Sequence, residues 1–276
     1  MTSTTIKIIK PHSERSFAED VADIWAHREL LMVLVRREIS VRYRQAVIGL
    51  LWVVLQPLLT TAIFTTVFVV FVRIPTQEQS YPLFAFAGLA VWQYFNRVVS
   101  EGGGSLIANS ALITKVSFPR LIIPLVSPLA AALDSLVAIS ALIVIAMLMG
   151  ASVSWTIVFT PFVIAAVGLF GYSVALWVAP LNAVYRDIGI ALPSIMQVAM
   201  YMSPIVYPAS LVPERIRWLY ELNPIAVMVN TMRWVVLGTN APPIAGLGLF
   251  VVLVVLLFWG GSQLFRRMEG NLIDRI

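Results

Sequence analysis

Between Asp187 and Glu214 the chain runs for 26 residues without a single Asp, Glu, Lys or Arg. Wound as a helix at ~1.5 Å per residue, such a run reaches ~39 Å, more than the ~30 Å hydrocarbon core of a bilayer. Few structures can cross lipid, because every backbone N–H and C=O must be satisfied internally. The stretch Asn182–Pro208 is nevertheless no plain anchor. Pro193, Pro204 and Pro208 interrupt it, and Met196, Met200, Tyr201, Met202 and Ser203 fill its middle. A lipid-facing helix gains nothing from these residues, whereas the wall of a protein-lined passage tolerates both freed backbone groups and polar atoms. The stretch is expected to line such a passage, with a short break near Ser203–Pro204.

Composition extends this reading to the whole chain. Only 12% of residues are charged, against roughly 25% in a soluble domain, while 59% are hydrophobic and the mean hydropathy is +0.89. The expected fold is an all-α integral membrane protein. Its longest fairly polar stretch is the first 45 residues, too little for an independent catalytic domain. With no cysteine in the chain, disulfides and thiol chemistry are excluded. The amino-terminal segment has no apolar run of signal-peptide length and is expected to remain uncleaved.

Residues 1–22 form a polar tail. Residues 23–44 mix Ile24, Trp25, Leu31, Leu34, Val35 and Ile39 with His27, Arg28, Arg36, Arg37, Arg42 and Arg44. Charges recur too often for a spanning helix, so an amphipathic interface helix at the inner membrane surface is expected, with an ordinary solvated helix as the alternative. Within the transmembrane domain, residues 45–265, six helical spans are expected at about 45–72, 83–107, 121–149, 156–180, 188–209 and 244–265, followed by a tail of residues 266–276. In the second span Arg97 and Glu101 stand four apart on one helix face, either as a structural ion pair or as part of the passage. Asp134, near the middle of the third, must face protein rather than lipid. It either hydrogen-bonds a serine such as Ser135 or Ser140, or touches substrate.

Basic residues orient the spans. With both termini cytoplasmic, 15 of the 19 Lys and Arg fall on the cytoplasmic side or at that edge, leaving only Arg73, Arg215, Arg217 and Arg233 outside. The insert at 210–233 then faces outward. It is too apolar to float free and too broken by Pro208, Pro213 and Pro224 to span once. Trp218, Tyr220 and nearby Trp234 suit the membrane interface, and short re-entrant gate helices closing the outer mouth reconcile these features.

The chain contains no engine of its own. It has no GxxxxGK[ST] phosphate loop, and the glycine run EGGGSL lacks the lysine such a loop needs. No metal site is expected, since no HExxH or Cys/His cluster occurs, and the isolated His12 and His27 read as surface residues.

Four motifs in order carry a family resemblance: NSALITKVSFPR after the second span, LNAVYRDIGIALP after the fourth, MSPIVYP in the fifth, and ELNPIAVMVNTMRWVVLG before the sixth. Together they resemble the permease subunit of the polysaccharide-exporting branch of type-2 ABC transporters, which moves O-antigen, capsular polysaccharide or teichoic acid chains. The resemblance runs from about Trp25 to the end. It implies a non-enzymatic transport subunit of the bacterial cytoplasmic (inner) membrane, working as two copies with two nucleotide-binding subunits. ATP and Mg2+ would sit on those partners, with no cofactor in this chain. An undecaprenyl-pyrophosphate-linked glycan is the implied substrate, and nucleic acid has no role.

Residue by residue, 23–44 resembles the family's interface helix beside the ATPase. Residues 109–119 resemble the coupling helix, which assigns Asn109, Leu112, Ile113, Lys115 and Phe118 to coupling, together with Tyr185, Arg186 and Asp187 in the inner turn before the fifth span. Pro213, Trp218, Tyr220, Asn223 and Pro224 fall in the stretch that resembles the outer gate.

A long polar glycan suits a wide path lined with aromatic rings and adaptable side chains. Tyr94, Phe95, Tyr172, Trp177, Tyr201 and Tyr207 are the aromatic candidates, with Met196, Met200 and Met202 as soft surface; packing is the competing role for each ring. Arg42, Arg44 and Arg97 are candidates for receiving the lipid phosphate near the inner leaflet. Three other functions fit less well. A secondary transporter needs ion-coupling groups or inverted repeats, and only Asp134 qualifies. A membrane glycosyltransferase needs carboxylates at a membrane face, where the outer insert has only Glu214 and Glu221. A type-2 ABC exporter of a drug or lipid would keep the architecture and change the cargo.

Overall fold

The computed structural model describes residues 17–44, 49–73, 80–116, 118–151, 154–208 and 211–272. Most of the expected polar tail, the start of the first span at 45–48, Ser117 in the coupling segment, residues 209–210 and the last four residues lie outside that description. Among the described residues every regular element is a helix: α1 (Phe17–Ala26), α2 (Arg28–Tyr43), α3 (Leu51–Thr65), α4 (Tyr81–Ala108), α5 (Ser110–Lys115), α6 (Ile122–Leu148), α7 (Thr160–Val184), α8 (Arg186–Met202), α9 (Glu214–Glu221), α10 (Pro224–Leu237) and α11 (Ile244–Leu272). α3 continues in a wider π-wound turn, Thr66–Phe71, and a tight 3-10 turn, Trp155–Phe159, leads into α7.

Four of these segments are long and apolar enough to cross a membrane: Leu51–Phe71, Ile122–Leu148, Trp155–Val184 and Ile244–Met268. They correspond to the first, third, fourth and sixth expected spans. α4 has the length, with 28 residues, but its apolar run is diluted by Arg97, Glu101 and several small polar residues. α8 has 17 residues and stops at Met202, where the chain turns through Ser203–Pro208.

α4 is the centre of the bundle, packing against α3, α6, α7, α8 and α10. The EGGGSL run lies inside this helix. A Cβ added at Gly102 would come 2.7 Å from the Ala175 Cβ, and one at Gly103 would come 2.6 Å from Val178 Cγ1. The glycines therefore let α7 approach closely, at the helix-propensity cost of ~0.5–1 kcal/mol each relative to Ala. Phe95 and Phe170 stack between the same two helices with ring centres 4.8 Å apart.

α2 runs beside α6. Ile24, just before it, packs in the cluster that holds Leu121 and Phe118. Leu31, Leu34 and Val35 are buried with Ile122, Val126 and Ala130, and Arg42 reaches Asp134. The two helices thus point the same way, and α2 follows α6 for about 18 Å at ~1.5 Å per residue. Its apolar stripe is covered by protein, while Arg36, Arg37, Val41 and Arg44 remain exposed.

α10 is short and almost wholly buried against α4, α7, α11 and the Trp155–Phe159 turn. Its start is capped by Asn223, whose Oδ1 accepts from the Ile225 amide at 2.9 Å, and its end by Gly238 at φ 66°. At 14 residues, or about 21 Å, it cannot cross a ~30 Å core unaided.

Candidate functional site

Three polar constructions stand out against the apolar bundle. The first is at the end where α4 and α7 finish. Asn182 in the last turn of α7 donates to the Gly103 carbonyl at 3.0 Å, which sets the two helix ends at one level. From there the chain leaves α4 through α5 and leaves α7 through Tyr185 into α8. Asn109 joins α4 to α5 and donates to the Ser105 carbonyl at 2.9 Å. Ile113 is buried with Leu106, Leu121 and Phe265, and Leu112 and Phe118 pack on the α2–α6 contact. Lys115, Tyr185, Arg186 and Asp187 are exposed. The predicted coupling residues therefore divide into four that seat α5 on the bundle and four that offer surface at the same end. Asp187 in the first turn of α8 also meets the positive end of the helix dipole.

The second construction joins α2, α4 and α6. Asp134 is buried at 5% exposure and uses both carboxylate oxygens. Oδ2 accepts from Arg42 Nη1 at 2.6 Å and from Arg97, and Oδ1 accepts from the Tyr43 hydroxyl. Arg42 Nη2 donates to Glu101 Oε2 at 2.7 Å, Arg97 Nε lies 3.9 Å from Glu101 Oε1, and Glu38 flanks Arg42 at 3.9 Å. Two cations thus face two buried or half-buried anions, with Glu38 at the rim. Burial opposes the charge on Arg42, but Glu101 and Asp134 outweigh it and hold the guanidinium above its ordinary pKa. Burial, then the bond to Asp134, pushes the Tyr43 phenol up to about 12. Asp134 bonds neither Ser135 nor Ser140; its partners come from two other helices. The Arg97–Glu101 pair expected from spacing is part of this larger network. Of the three arginines assigned to lipid phosphate, Arg42 and Arg97 are engaged here, and Arg44 is exposed.

The third construction lies where the amino end of α4, the turn after α8 and α10 meet. Arg233 is 3% exposed and donates to the carbonyls of Phe84 at 3.2 Å, Pro204 at 3.3 Å and Ile205 at 2.6 Å, and to Asn230 Oδ1 at 3.1 Å. Its guanidinium carbon sits 3.4 Å from the centre of the Phe84 ring. Tyr81 donates to the Val206 carbonyl at 2.6 Å, and Asn223 donates to Ser203 Oγ at 2.9 Å. Every residue of the SPIV turn is therefore held by a side chain from another element. Of the predicted gate residues, Pro213 opens α9, Pro224 opens α10, and Trp218 is exposed with its indole donating to the Arg215 carbonyl at 3.1 Å. Tyr220 meets Tyr207 edge-on with ring centres 6.3 Å apart.

The predicted path residues fall into two groups. Tyr94 donates to the Pro128 carbonyl, Tyr172 to the Leu121 carbonyl and Trp177 to the Leu257 carbonyl, and Phe95 stacks in the core; these four join elements within the chain. On α8, Met196 is buried and Met200 half-buried, while Tyr201 and Met202 are exposed. Tyr207 donates to the Tyr201 carbonyl at 3.0 Å, so it belongs to the α8 group. Sequence reasoning missed Tyr43 and Tyr81 altogether, and the Arg42–Asp134 partnership. One signal was available: α4 and α6 together carry one cation and two anions, so a further cation had to come from outside them.

A bundle of this kind, with four long apolar helices and with Asp134 and Arg233 paired or caged in its interior, defines a multi-pass membrane protein. Residues 29–237, about three quarters of the chain, match the ABC-2 type transporter family, and the chain belongs to that family of inner-membrane transport proteins. It is similar to the O-antigen export system permease protein RfbA of Klebsiella pneumoniae, with 30% identity over 206 residues, covering 74% of this chain and 79% of that protein. It is also similar to RfbA of Myxococcus xanthus, with 26% identity over 258 residues, covering 93% of this chain and 98% of that protein.

Proposed function

We propose that this chain is the permease of an ATP-driven exporter of lipid-linked polysaccharide, acting as a pair of copies with two nucleotide-binding subunits. The observation that carries the reading is the similarity to O-antigen export permeases over nearly the whole length of both chains. In this reading the six segments all cross the membrane, α4 and α8 included, and α9 and α10 form the re-entrant outer gate. Lys115, Tyr185, Arg186 and Asp187 face the ATPase, which binds ATP and Mg2+.

The conduit runs between the two copies. α8 supports this because Ser194, Gln197 and Tyr201 are exposed at helical spacing on a segment otherwise rich in apolar residues. Arg44 offers an open guanidinium to a pyrophosphate. Arg42 and Arg97 would reach phosphate only by exchanging it for a carboxylate. Co-purification with the ATPase in lipid nanodiscs, followed by ATP turnover with and without undecaprenyl-pyrophosphate-linked glycan, tests the reading. Complex formation with turnover altered by the glycan, and weakened by Lys115→Ala with Phe118→Ala, is expected. A complex that ignores glycan and responds to another lipid or a drug would retain the ABC exporter and remove the polysaccharide.

A further inference from the structure

We propose that Asp134 is a positioning residue of the transport cycle: it clamps α2 onto α4 and α6, so that these three helices move as one body. The inference rests on the permease reading above, but the clamp itself is a property of this chain. A surface helix held only by Leu31, Leu34 and Val35 could slide along α6, because apolar contacts are non-directional. Charged hydrogen bonds at the end of that stripe remove this freedom. Arg42 and Tyr43 occupy the last two positions of α2, and both donate to Asp134 on α6. Arg42 also forks to Glu101 on α4, and Arg97 of α4 completes the coordination of Asp134.

Withdrawing α2 alone would leave a buried carboxylate with fewer donors than it accepts in the folded state, so α2 is most easily moved together with its neighbours. α5 belongs to the same body through Leu112, Ile113 and Phe118. The segment that follows α2 behaves differently. Leu51–Phe71 also packs against α4 and α6, but it is mostly bare and carries no Asp, Glu, Lys or Arg with which to form a charged clamp. Displacement delivered to α2 or α5 is therefore carried by α4 and α6, to which the charged cluster ties α2.

The absence of native cysteine makes the clamp directly measurable. Spin labels at Val41→Cys on α2 and Leu136→Cys on α6, both exposed positions, report the α2–α6 distance in nanodiscs without any ATPase. A single narrow distribution is expected for the otherwise native chain and for Asp134→Glu, with clear broadening in Asp134→Asn. Arg42→Gln, which leaves the Arg97–Asp134 pair in place and guards against a folding defect, should broaden it as well. Unchanged distributions in both Asp134→Asn and Arg42→Gln would overturn the clamp.

In the complex with its ATPase, Asp134→Asn should lower glycan export by about tenfold or more, with ATP hydrolysis within about twofold of native, and Asp134→Glu should restore export. Export and hydrolysis that remain coupled in Asp134→Asn would equally overturn the positioning role. If the chain proves to carry another cargo, the distance measurement still decides the clamp, and export of that cargo replaces the glycan assay.

Discussion

Two buried polar constructions in this chain solve the same electrostatic problem in opposite ways. Between α2, α4 and α6, Arg42 and Arg97 are neutralised by Asp134 and Glu101, side chain against side chain. Where α4, α10 and the turn after α8 meet, Arg233 is buried without a carboxylate among its described partners and is satisfied by three backbone carbonyls, one amide oxygen and the face of Phe84. The first arrangement is modular, since every partner is a side chain that could in principle be replaced with the rest. The second is not, because carbonyls of Phe84, Pro204 and Ile205 stay polar whatever residue stands at position 233. A paired cluster holds helices in register, whereas a cation among carbonyls holds an irregular turn.

Arg233→Met should have the largest effect. Each buried carbonyl left without a donor costs about 1–3 kcal/mol, so the variant should lose more thermal stability than any single substitution in the α2–α4–α6 cluster, read by size-exclusion survival after heating. Arg233→Lys should recover little, because a single ammonium cannot fork to separate carbonyls and lie flat over a ring. Gly88→Ala attacks the same cage from the other side: its Cβ would crowd the Ile205 carbonyl and lie 2.9 Å from Arg233 Nη2. A mild effect of Arg233→Met would mean that the turn finds other donors.

In the α2–α4–α6 cluster, Asp134→Asn should cost ~3–5 kcal/mol, the usual effect of removing one partner from a buried ion pair. Glu101→Gln should cost less, since its side chain is 34% exposed and water can replace part of what is lost. The decisive variant replaces Arg42, Arg97, Glu101 and Asp134 together with Leu or Met of similar volume. It should be closer to native in thermal stability than Asp134→Asn alone, because no unpaired charge remains. No apolar substitution at 233 should show such recovery, and if one does the contrast between the two constructions disappears.

The contrast also explains what could be read from sequence. Arg97 and Glu101 were recognisable as a pair because helix periodicity puts residues four apart on one face. Asp134 announced itself as a carboxylate needing protein partners, but its donors lie on α2 and α4, and local pattern cannot supply a contact across 92 positions. The serines beside Asp134 were the nearest local solution, and the fold provides a distant one. Tyr94 and Tyr172 read equally well as path or packing; their hydroxyls bond α6 and the residue just before it, which only the tertiary arrangement fixes. The long apolar helices were legible from charge-free runs, whereas α4 and α8 mix the composition of a span with that of a packed or working helix.

A smaller effect is expected beside the Arg233 cage. Asn223 accepts from the Ile225 and Ala226 amides, capping α10, and donates to Ser203 in the adjoining turn. Asn223→Ala should cost ~1 kcal/mol for the cap, rising towards about 2 kcal/mol if the Ser203 contact adds to it. Asn223→Asp keeps the acceptor and loses the donor, so its own loss of thermal stability isolates the link to the turn, and the further loss in Asn223→Ala isolates the cap. Equal losses would show that the whole effect comes from the link, and a silent Asn223→Asp would confine the role of Asn223 to α10.

The smallest expected effect belongs to Tyr43, the one member of the α2–α4–α6 cluster that donates without carrying charge. Tyr43→Phe removes a hydrogen bond to Asp134 but leaves both arginines in place, so the loss should fall below about 1 kcal/mol at neutral pH. Its pH dependence is more telling. Burial first, and then the bond to Asp134, raise the phenol from 10.0 to about 12 in the folded chain, which means that folding favours the neutral form. The contribution is therefore complete below pH 10.0 and is lost as the pH rises through about 12, where the folded-state phenol ionises beside Asp134. Native protein should show a loss of stability across that window that Tyr43→Phe lacks, and a difference ultraviolet titration should find one fewer late-titrating tyrosine in the variant. If native protein and Tyr43→Phe decline together, Tyr43 is solvated independently of Asp134, and the α2–α4–α6 cluster reduces to its four charges. That outcome would leave the arginine–carboxylate pairing intact while making the two constructions more alike, each holding its arginine side chains without a phenol bonded to their partners.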